Sequence, residues 1–345
     1  MADFIYFNIT IANTSTTASM LAQTTVNRTS NILDNPSQYY LSVIRYKIPA
    51  NDTPIFIWPH SGGVETPRYY VTISYGGNDY TQLVTWVPTL QNVAATYDAY
   101  WYVTSYQHVI DLINTALNLA FQAAKTANPG MPPINSPFLT YDSTNYLFTM
   151  NAAEAYNNAA GAVATAEIYF NSLLWQFFES SQLKTYTPGH ATVKNAYFSI
   201  KNNGNNQRTV DHPVTGVSTD IYEMTQEANT LYMWNDIRGL AITSSSIPVT
   251  LEQNSNTSAE TDGLNYNIIS DFDINTERGP DARTDIYYVP QAQWRFADMI
   301  STSPLRSIDV KIFWVDRLGR LYDLYLQPLR GADIKIMFRK KNISA

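Results

Sequence analysis

The chain has 345 residues, with 22 Lys and Arg, 29 Asp and Glu, 25 Tyr and no Cys. Only 15% of it is charged while 45% is hydrophobic, and disordered chains show the opposite balance, so that class is excluded. The missing cysteines exclude disulfide scaffolds, thiolate zinc sites and cysteine nucleophiles, and a net charge of −7 argues against broad electrostatic capture of nucleic acid.

From the N-terminus, Met1 to Asn8 shows no basic segment leading into an apolar run, so no secretory signal is read. No stretch reaches the roughly 18 apolar residues of a membrane span. Sequons at Asn8, Asn27, Asn51 and Asn256 are expected from an Asn- and Thr-rich chain by chance. Ile5, Phe7, Ile9 and Ile11 alternate with Tyr6, Asn8 and Thr10, the period of a half-buried strand. Tyr40 to Ile48 repeats that pattern up to Pro49. Tyr69–Tyr75 and Tyr80–Trp86 flank Gly76-Gly77-Asn78-Asp79, which predicts a hairpin. The apolar spacing of Val109, Leu112, Ile113, Ala116, Leu117, Ala120, Phe121 and Ala124 predicts an amphipathic helix. Thr104 and Gln107 have capping-box spacing, and Asn128-Pro129-Gly130 ends the helix.

Farther on, Phe138–Tyr141 and Tyr146–Met150 predict a second hairpin, Ala152–Ala166 a helix or an insertion loop, and Ser172–Phe178 a short helix capped by Asn171 or Ser172. Strands are expected at Ala196–Lys201, Leu231–Trp234, Leu240–Thr243 and Ile268–Ile274. Asn202–Asp220, Glu252–Gly263 and Asn275–Arg283 lack periodicity and read as long loops. At the end, Ile308, Val310, Ile312 and Trp314 share one face, a turn covers Asp316 to Arg320, and Leu321–Leu326 returns. Ala332, Ile334, Ile336 and Phe338 then alternate with Asp333, Lys335 and Met337. Many strands, few helices and long loops together predict a mainly β sandwich or jelly roll with inserted helices.

Chemistry is sparse. The four histidines, His60, His108, His190 and His212, have no metal-binding spacing, and His108 reads as a hydrogen-bonded residue beside the helix's apolar face. Asp271, Asp273 and Asn275 could offer oxygen ligands to a hard cation, but the Gly and the distal acid of an EF-hand are missing, so a solvated strand end is the plainer reading. Ser181 and Lys184 have Ser-x-x-Lys spacing without its companion motifs, and no nucleophile elbow or phosphate loop occurs. No catalytic residue, metal or cofactor is assigned. Two clusters remain. Tyr97, Tyr100, Trp101, Tyr102 and Tyr106 offer either a carbohydrate platform or aromatic packing at an interface. Arg339, Lys340 and Lys341 offer either a solvated strand end or contact with an anionic genome, lipid or partner.

The order of segments carries a resemblance. Tyr40-Leu41-Ser42-Val43-Ile44-Arg45-Tyr46-Lys47-Ile48-Pro49 leads to Pro54-Ile55-Phe56-Ile57, then Tyr100 to Gln107 opens the helix, and Pro137 to Asp142 follows. Late in the chain stand Thr302 to Asp309, Phe313 to Asp316 and Ile334 to Lys341. This succession resembles penton or minor capsid proteins of small double-stranded DNA viruses of the virophage, Polinton-like and adenovirus-related lineage. The resemblance implies a single jelly-roll capsid domain over residues 1–345, with a helical and Ala-rich insertion at about 104–180. Two compact jelly rolls, as in a small major capsid protein, are the alternative. It implies a structural role, homo-pentamers contacting a major capsid protein, a place in the virion after assembly inside the host cell, and no enzymatic activity. The Arg-Gly-Asp receptor motif is absent, because Ala332 follows Arg330-Gly331. Low charge supports a shell subunit independently, since interface cores lose charge and gain aromatics. A carbohydrate-binding or adhesive β-sandwich is the second reading and a glycoside hydrolase on a β-scaffold the third.

Overall fold

In β1 (Phe4–Ala12), Phe7, Ile9 and Ile11 are buried while Phe4, Tyr6, Asn8, Thr10 and Ala12 are exposed, because successive strand side chains point to opposite faces. A computed structural model describes residues 4–49, 54–61, 64–87, 101–132, 135–159, 166–189, 193–250, 267–274, 285–289 and 295–341. The chain divides into two compact units. Described residues of Met1–Pro54 and Asp236–Ala345 form the first, and those of Ile55–Thr89 and Trp101–Asn235 the second. The first opens with β1, β2 (Gln23–Asn27) and β3 (Tyr39–Ile48).

After three short strands, Phe56–Ile57, His60–Ser61 and Val64–Glu65, the second unit forms the hairpin of β4 (Tyr70–Tyr75) and β5 (Asn78–Leu83), turned by Gly76 and Gly77, both at positive φ. Helix α1 (Tyr106–Ala127) buries Val109, Leu112, Ile113, Ala116, Leu117, Ala120, Phe121 and Ala124. Its N-cap is Ser105 without a side-chain bond, so the expected Thr104–Gln107 box does not form; Gln107 instead donates to Asp111. At the other end the Asn128 amide closes on the Ala124 carbonyl at 2.9 Å. Strands β6 (Phe138–Asp142), β7 (Leu147–Ala152) and β8 (Ala166–Phe170) follow, then α2 (Ser172–Trp175), whose cap Asn171 accepts from the Leu174 amide. Ala152 closes β7, a single 3-10 turn occupies Glu154–Tyr156, and β8 starts at Ala166, so no helix forms among the described residues of the Ala-rich stretch. After β9 (Leu183–Tyr186) and β10 (Ala196–Phe198), the hairpin of β11 (Gln207–Asp211) and β12 (Ser218–Thr225) stands where a loop was expected. Gln207, Arg208, Thr209 and Asp211 are all exposed, so β11 has no apolar face to betray it. Leu231–Trp234, expected as a strand, is a helical turn, α3, which buries Leu231 and Trp234 one turn apart.

The two larger sheets of this unit have the orders β9-β10-β8-β4-β5 and β6-β7-β12-β11, beside two short two-stranded ladders. Its core is rich in aromatic rings. Trp234 lies 4.9 Å from Phe148 and 4.7 Å from Phe177, between ring centroids, and both Trp234 and Phe148 are buried. The expected insertion at about 104–180 falls inside this unit.

The first unit resumes with β13 (Ile237–Thr243), β14 (Ile268–Asp273), β15 (Ile286–Tyr288), β16 (Ala297–Asp298), β17 (Ser307–Asp316), β18 (Leu321–Asp323) and β19 (Gly331–Lys340). One sheet runs β1-β19-β3-β15, with β16 also on β3; the other runs β14-β13-β17, with β2 and β18 paired to β17. Each sheet thus joins strands far apart in the chain, as when Phe4 lies opposite Arg339. Taken in chain order, the eight principal strands cross between the sheets at every step but β13 to β14, which are neighbours in one sheet, and this is a jelly-roll connectivity. The sheets pack face to face: Tyr46 of β3 meets Phe272 of β14 at 4.6 Å. Phe7, Ile9, Leu41, Val43, Ile334, Ile336 and Phe338 line one inner face, and Leu240, Ile242, Ile308, Val310, Ile312 and Trp314 the other. The protein is mainly β, a jelly-roll sandwich whose α-helices, among the described residues, all lie in the second unit. That unit pairs sequence neighbours, β4 with β5, β6 with β7 and β11 with β12, and also joins β4 to β8 and β7 to β12.

Candidate interaction surface

Residues directly opposed in a ladder share a face, and the register across β1, β19 and β3 builds one from the two ends of the chain. Phe4, Arg339 and Tyr40 form a row, Tyr6, Met337 and Ser42 the next, and Lys335 lies opposite Asn8 and Arg45. Cations and rings interleave there. Arg339 stands 5.8 Å from the Phe4 ring centre and 5.4 Å from that of Phe296. Lys335 lies 4.9 Å over Tyr6. Phe4 and Tyr6 are 39% and 51% exposed while Met337 and Ser42 are buried, so the face is open along its β1 edge and covered farther in.

Of the basic trio expected at the chain's end, Arg339 is exposed on this face, and Lys340 is half-buried opposite Tyr39. Lys341 turns inward: its ammonium donates to the Ser37 carbonyl at 2.7 Å and the Met299 carbonyl at 3.2 Å, and pairs with Asp298. The trio is therefore not a single patch. Phe4, Tyr6, Tyr40 and Lys335 belong to the face; the sequence shows the strand alternation of Tyr6, Tyr40 and Lys335 but not the pairing of the two ends that brings them together.

The aromatic cluster lies in the second unit. Tyr97 and Tyr100 lie outside the described residues. Trp101 stacks on His60 at 5.3 Å and tilts toward Trp86 at 6.2 Å. Tyr102 pairs with Ile57 in a short ladder, and Tyr106 meets Trp234 at 5.5 Å and Tyr141 at 5.4 Å. Each described ring of the cluster is half-buried. Glu65 accepts from the Trp58 indole N–H at 2.9 Å and the Trp86 amide at 2.8 Å. The indole nitrogens of Trp86 and Trp101 and the Nε2 of His108 are buried without a hydrogen-bond partner. Burial pushes the His108 pKa down, with a backbone bond at Val87 opposing. His212, a loop residue in the sequence reading, is 1% exposed. Its Nδ1 accepts from the Val214 and Thr215 amides, each at 3.2 Å, and its Nε2 meets the Ser136 hydroxyl at 2.8 Å. An accepting Nδ1 requires the neutral ring, and burial lowers its pKa accordingly.

On the outer face of the other jelly-roll sheet, a cleft of about 430 Å³ is lined by Gln23, Thr25, Thr243, Ser245, Asn267 and Lys311. Asp309 borders it and clamps the turn after β13, accepting from the Ser244 hydroxyl at 2.8 Å, the Ser245 amide at 2.9 Å and the Ser246 amide at 2.6 Å. Burial opposes its charge, but the bonds from Ser246 and Ser245 outweigh it and hold the carboxyl well below the usual carboxylate range. Lys311, across the cleft, is paired to Asp323 at 2.6 Å. Asp271 forms an ion pair with Arg295, and Asn275 lies outside the described residues. Among the described residues no acid or His cluster suited to a metal occurs, and no helix is long and apolar enough to cross a membrane.

What the molecule offers is surfaces, and comparison with known proteins agrees. Structural protein V19 of Sputnik virophage is 28% identical over 210 residues, 59% of this chain and 94% of that protein. Uncharacterized protein V18 of the same virophage is 33% identical over 114 residues, 27% of this chain and 66% of that protein. A chain in the cryo-EM structure of the Sputnik virophage superposes with a TM-score of 0.74 at 27% identity, covering 100% of both chains. The crystal structure of the mavirus penton protein shares the fold, with a TM-score of 0.64 at 16% identity over 98% of this chain and 99% of that one. The family described as Sputnik minor capsid protein V18/19 matches residues 5–340. With a jelly roll built from its two ends and a family match along nearly its whole length, the chain belongs to the Sputnik minor capsid protein V18/19 family and is a structural protein of the virus capsid.

Proposed function

We propose that the protein is the penton subunit, five copies of which close each vertex of an icosahedral shell and contact the major capsid protein. The observation that carries this reading is the jelly roll built from both ends of the chain, in a fold shared with the mavirus penton protein along 98% of its length. Each subunit presents two different sheet faces, one with Arg45, Lys335 and Arg339 and one with Asp271 and Asp273. Two unlike faces suit head-to-tail contacts that close into a ring. Assembly inside the host cell, a purely structural, non-enzymatic role and genome contact through the basic strand end near Arg339, Lys340 and Lys341 belong to the same proposal.

Reconstruction of purified particles tests it. Density for this chain at the five-fold vertices is expected, together with a pentamer mass for the isolated protein in light scattering. A chain confined to facets, or a strict monomer at high concentration, overturns the penton assignment.

A further inference from the structure

Strand β1 is an edge strand, and its ladder shows which backbone groups it leaves open. The Asn13 amide donates to the Arg330 carbonyl at 2.8 Å, in register with the β1–β19 ladder. Bonded pairs alternate along an antiparallel ladder, so the odd residues Ile5, Phe7, Ile9 and Ile11 exchange bonds with β19. The N–H and C=O groups of Phe4, Tyr6, Asn8, Thr10 and Ala12 therefore point away from it. All five residues are exposed, and among the described residues none of those backbone groups has a backbone hydrogen bond.

Folded proteins blunt such edges with charge, proline, bulges or brevity. Most other edges of this jelly roll follow that rule: β15 and β16 have three and two residues, β18 has three, and β14 carries Asp271 and Asp273, while β2 is uncharged but only five residues long. β1 has none of these devices: it is nine residues long, without a charge, a proline or a shift in register. An edge so bare among the described residues is a ready template for pairing with another chain.

We propose that β1 accepts an extended segment of a neighbouring capsid polypeptide as an added strand, rooted in its outward backbone groups. This rests on the capsid role of the chain. The pattern of that segment follows from what flanks the edge. On one side, Ile5, Phe7, Ile9 and Ile11 would be continued by apolar residues. On the other, the charged heads of Lys335 and Arg339 lean over the Tyr6 and Phe4 rings, toward the edge, so the facing residues would be acidic. A second copy's β1 is a poorer occupant, because antiparallel pairing would bring both sets of Lys335 and Arg339 onto one face.

Hydrogen exchange of the full-length protein, free and in purified particles, tests the proposal together with two variants. About half of the amides in residues 4–12 are expected to exchange fast in the free protein and slowly in particles. Unchanged uptake in particles that contain the protein overturns the proposal and leaves the capsid role standing. Absence of the protein from particles overturns both. Slow exchange that is lost on dilution of the free protein assigns the edge to a second copy and overturns the heterologous strand. Asn8→Pro removes one outward N–H and spares the bonds to β19, whereas Asn8→Val keeps that N–H. Asn8→Pro is expected to enter particles about ten-fold less than Asn8→Val at equal thermal stability. Equal entry overturns the added strand. Lys335→Glu with Arg339→Glu is expected to lower entry too, and normal entry overturns the acidic chemistry of the occupant.

Discussion

Arg339 lies opposite Phe4 in the ladder that joins the two ends of the chain, its guanidinium carbon 5.8 Å from the centre of the Phe4 ring. Neighbouring Phe338 points the other way and is fully buried. One strand therefore serves surface and core at adjacent residues, and the two should respond differently to truncation. Arg339→Ala is expected to cost at most about 1 kcal/mol, the scale of an exposed cation–π contact. Phe338→Ala is expected to cost about 3–5 kcal/mol through its cavity. Urea unfolding of the two variants side by side checks the contrast.

Gly239 sits where β13 crosses between β14 and β17. A Cβ there would stand 2.7 Å from the Phe272 carbonyl oxygen, a backbone atom that cannot swing aside. Gly239→Ala should lower stability by about 1–3 kcal/mol by forcing the β13–β14 ladder apart. An unchanged melting temperature would contradict this close approach.

Asp309 ties the Ser244–Ser246 turn to β17. Its folded pKa lies below the unfolded value, so its contribution is complete above about pH 4 and is lost as pH falls below that through the folded pKa. Asp309→Asn keeps the shape but presents an N–H where an acceptor is needed. It should destabilise the protein at neutral pH by about 1–3 kcal/mol and flatten the acid limb of its stability profile. Thermal melts from about pH 7 down to pH 3 read both effects.

The buried histidines predict a second acid response at higher pH. His212 and His108 stay neutral in the folded protein because burial lowers their pKa, while in the unfolded chain they take up a proton near pH 6.5. Stability is therefore full above about pH 6.5 and falls as pH drops below it. Melting temperature should decline from about pH 7 to pH 5, and less steeply in His212→Gln.

Trp234 anchors the aromatic core of the second unit, donating its indole N–H to the Phe177 carbonyl at 3.0 Å. Trp234→Ala should cost about 3–5 kcal/mol there. Hydrogen exchange should rise in β7 and α1 with less change in β1, β3 and β19, since the second unit has its own core.

The sequence by itself determined what depends on neighbours within a few residues. Alternation exposed β1, β3, β17 and β19, and apolar spacing exposed α1, because each of these elements buries one face and leaves the other open. Low charge and missing catalytic motifs pointed to a structural shell protein on the same local grounds. Where both faces share one character the pattern is silent, as in exposed β11, and in Leu231–Trp234 a run of apolar residues did not distinguish a helical turn from a strand. Only the tertiary structure decided that Phe4 meets Arg339, that Lys341 turns inward to Ser37, and that β1 ends a sheet with its outer backbone groups open. Those relationships join residues hundreds of positions apart, and long-range pairing is set by how whole faces pack, which leaves no period in the chain to read.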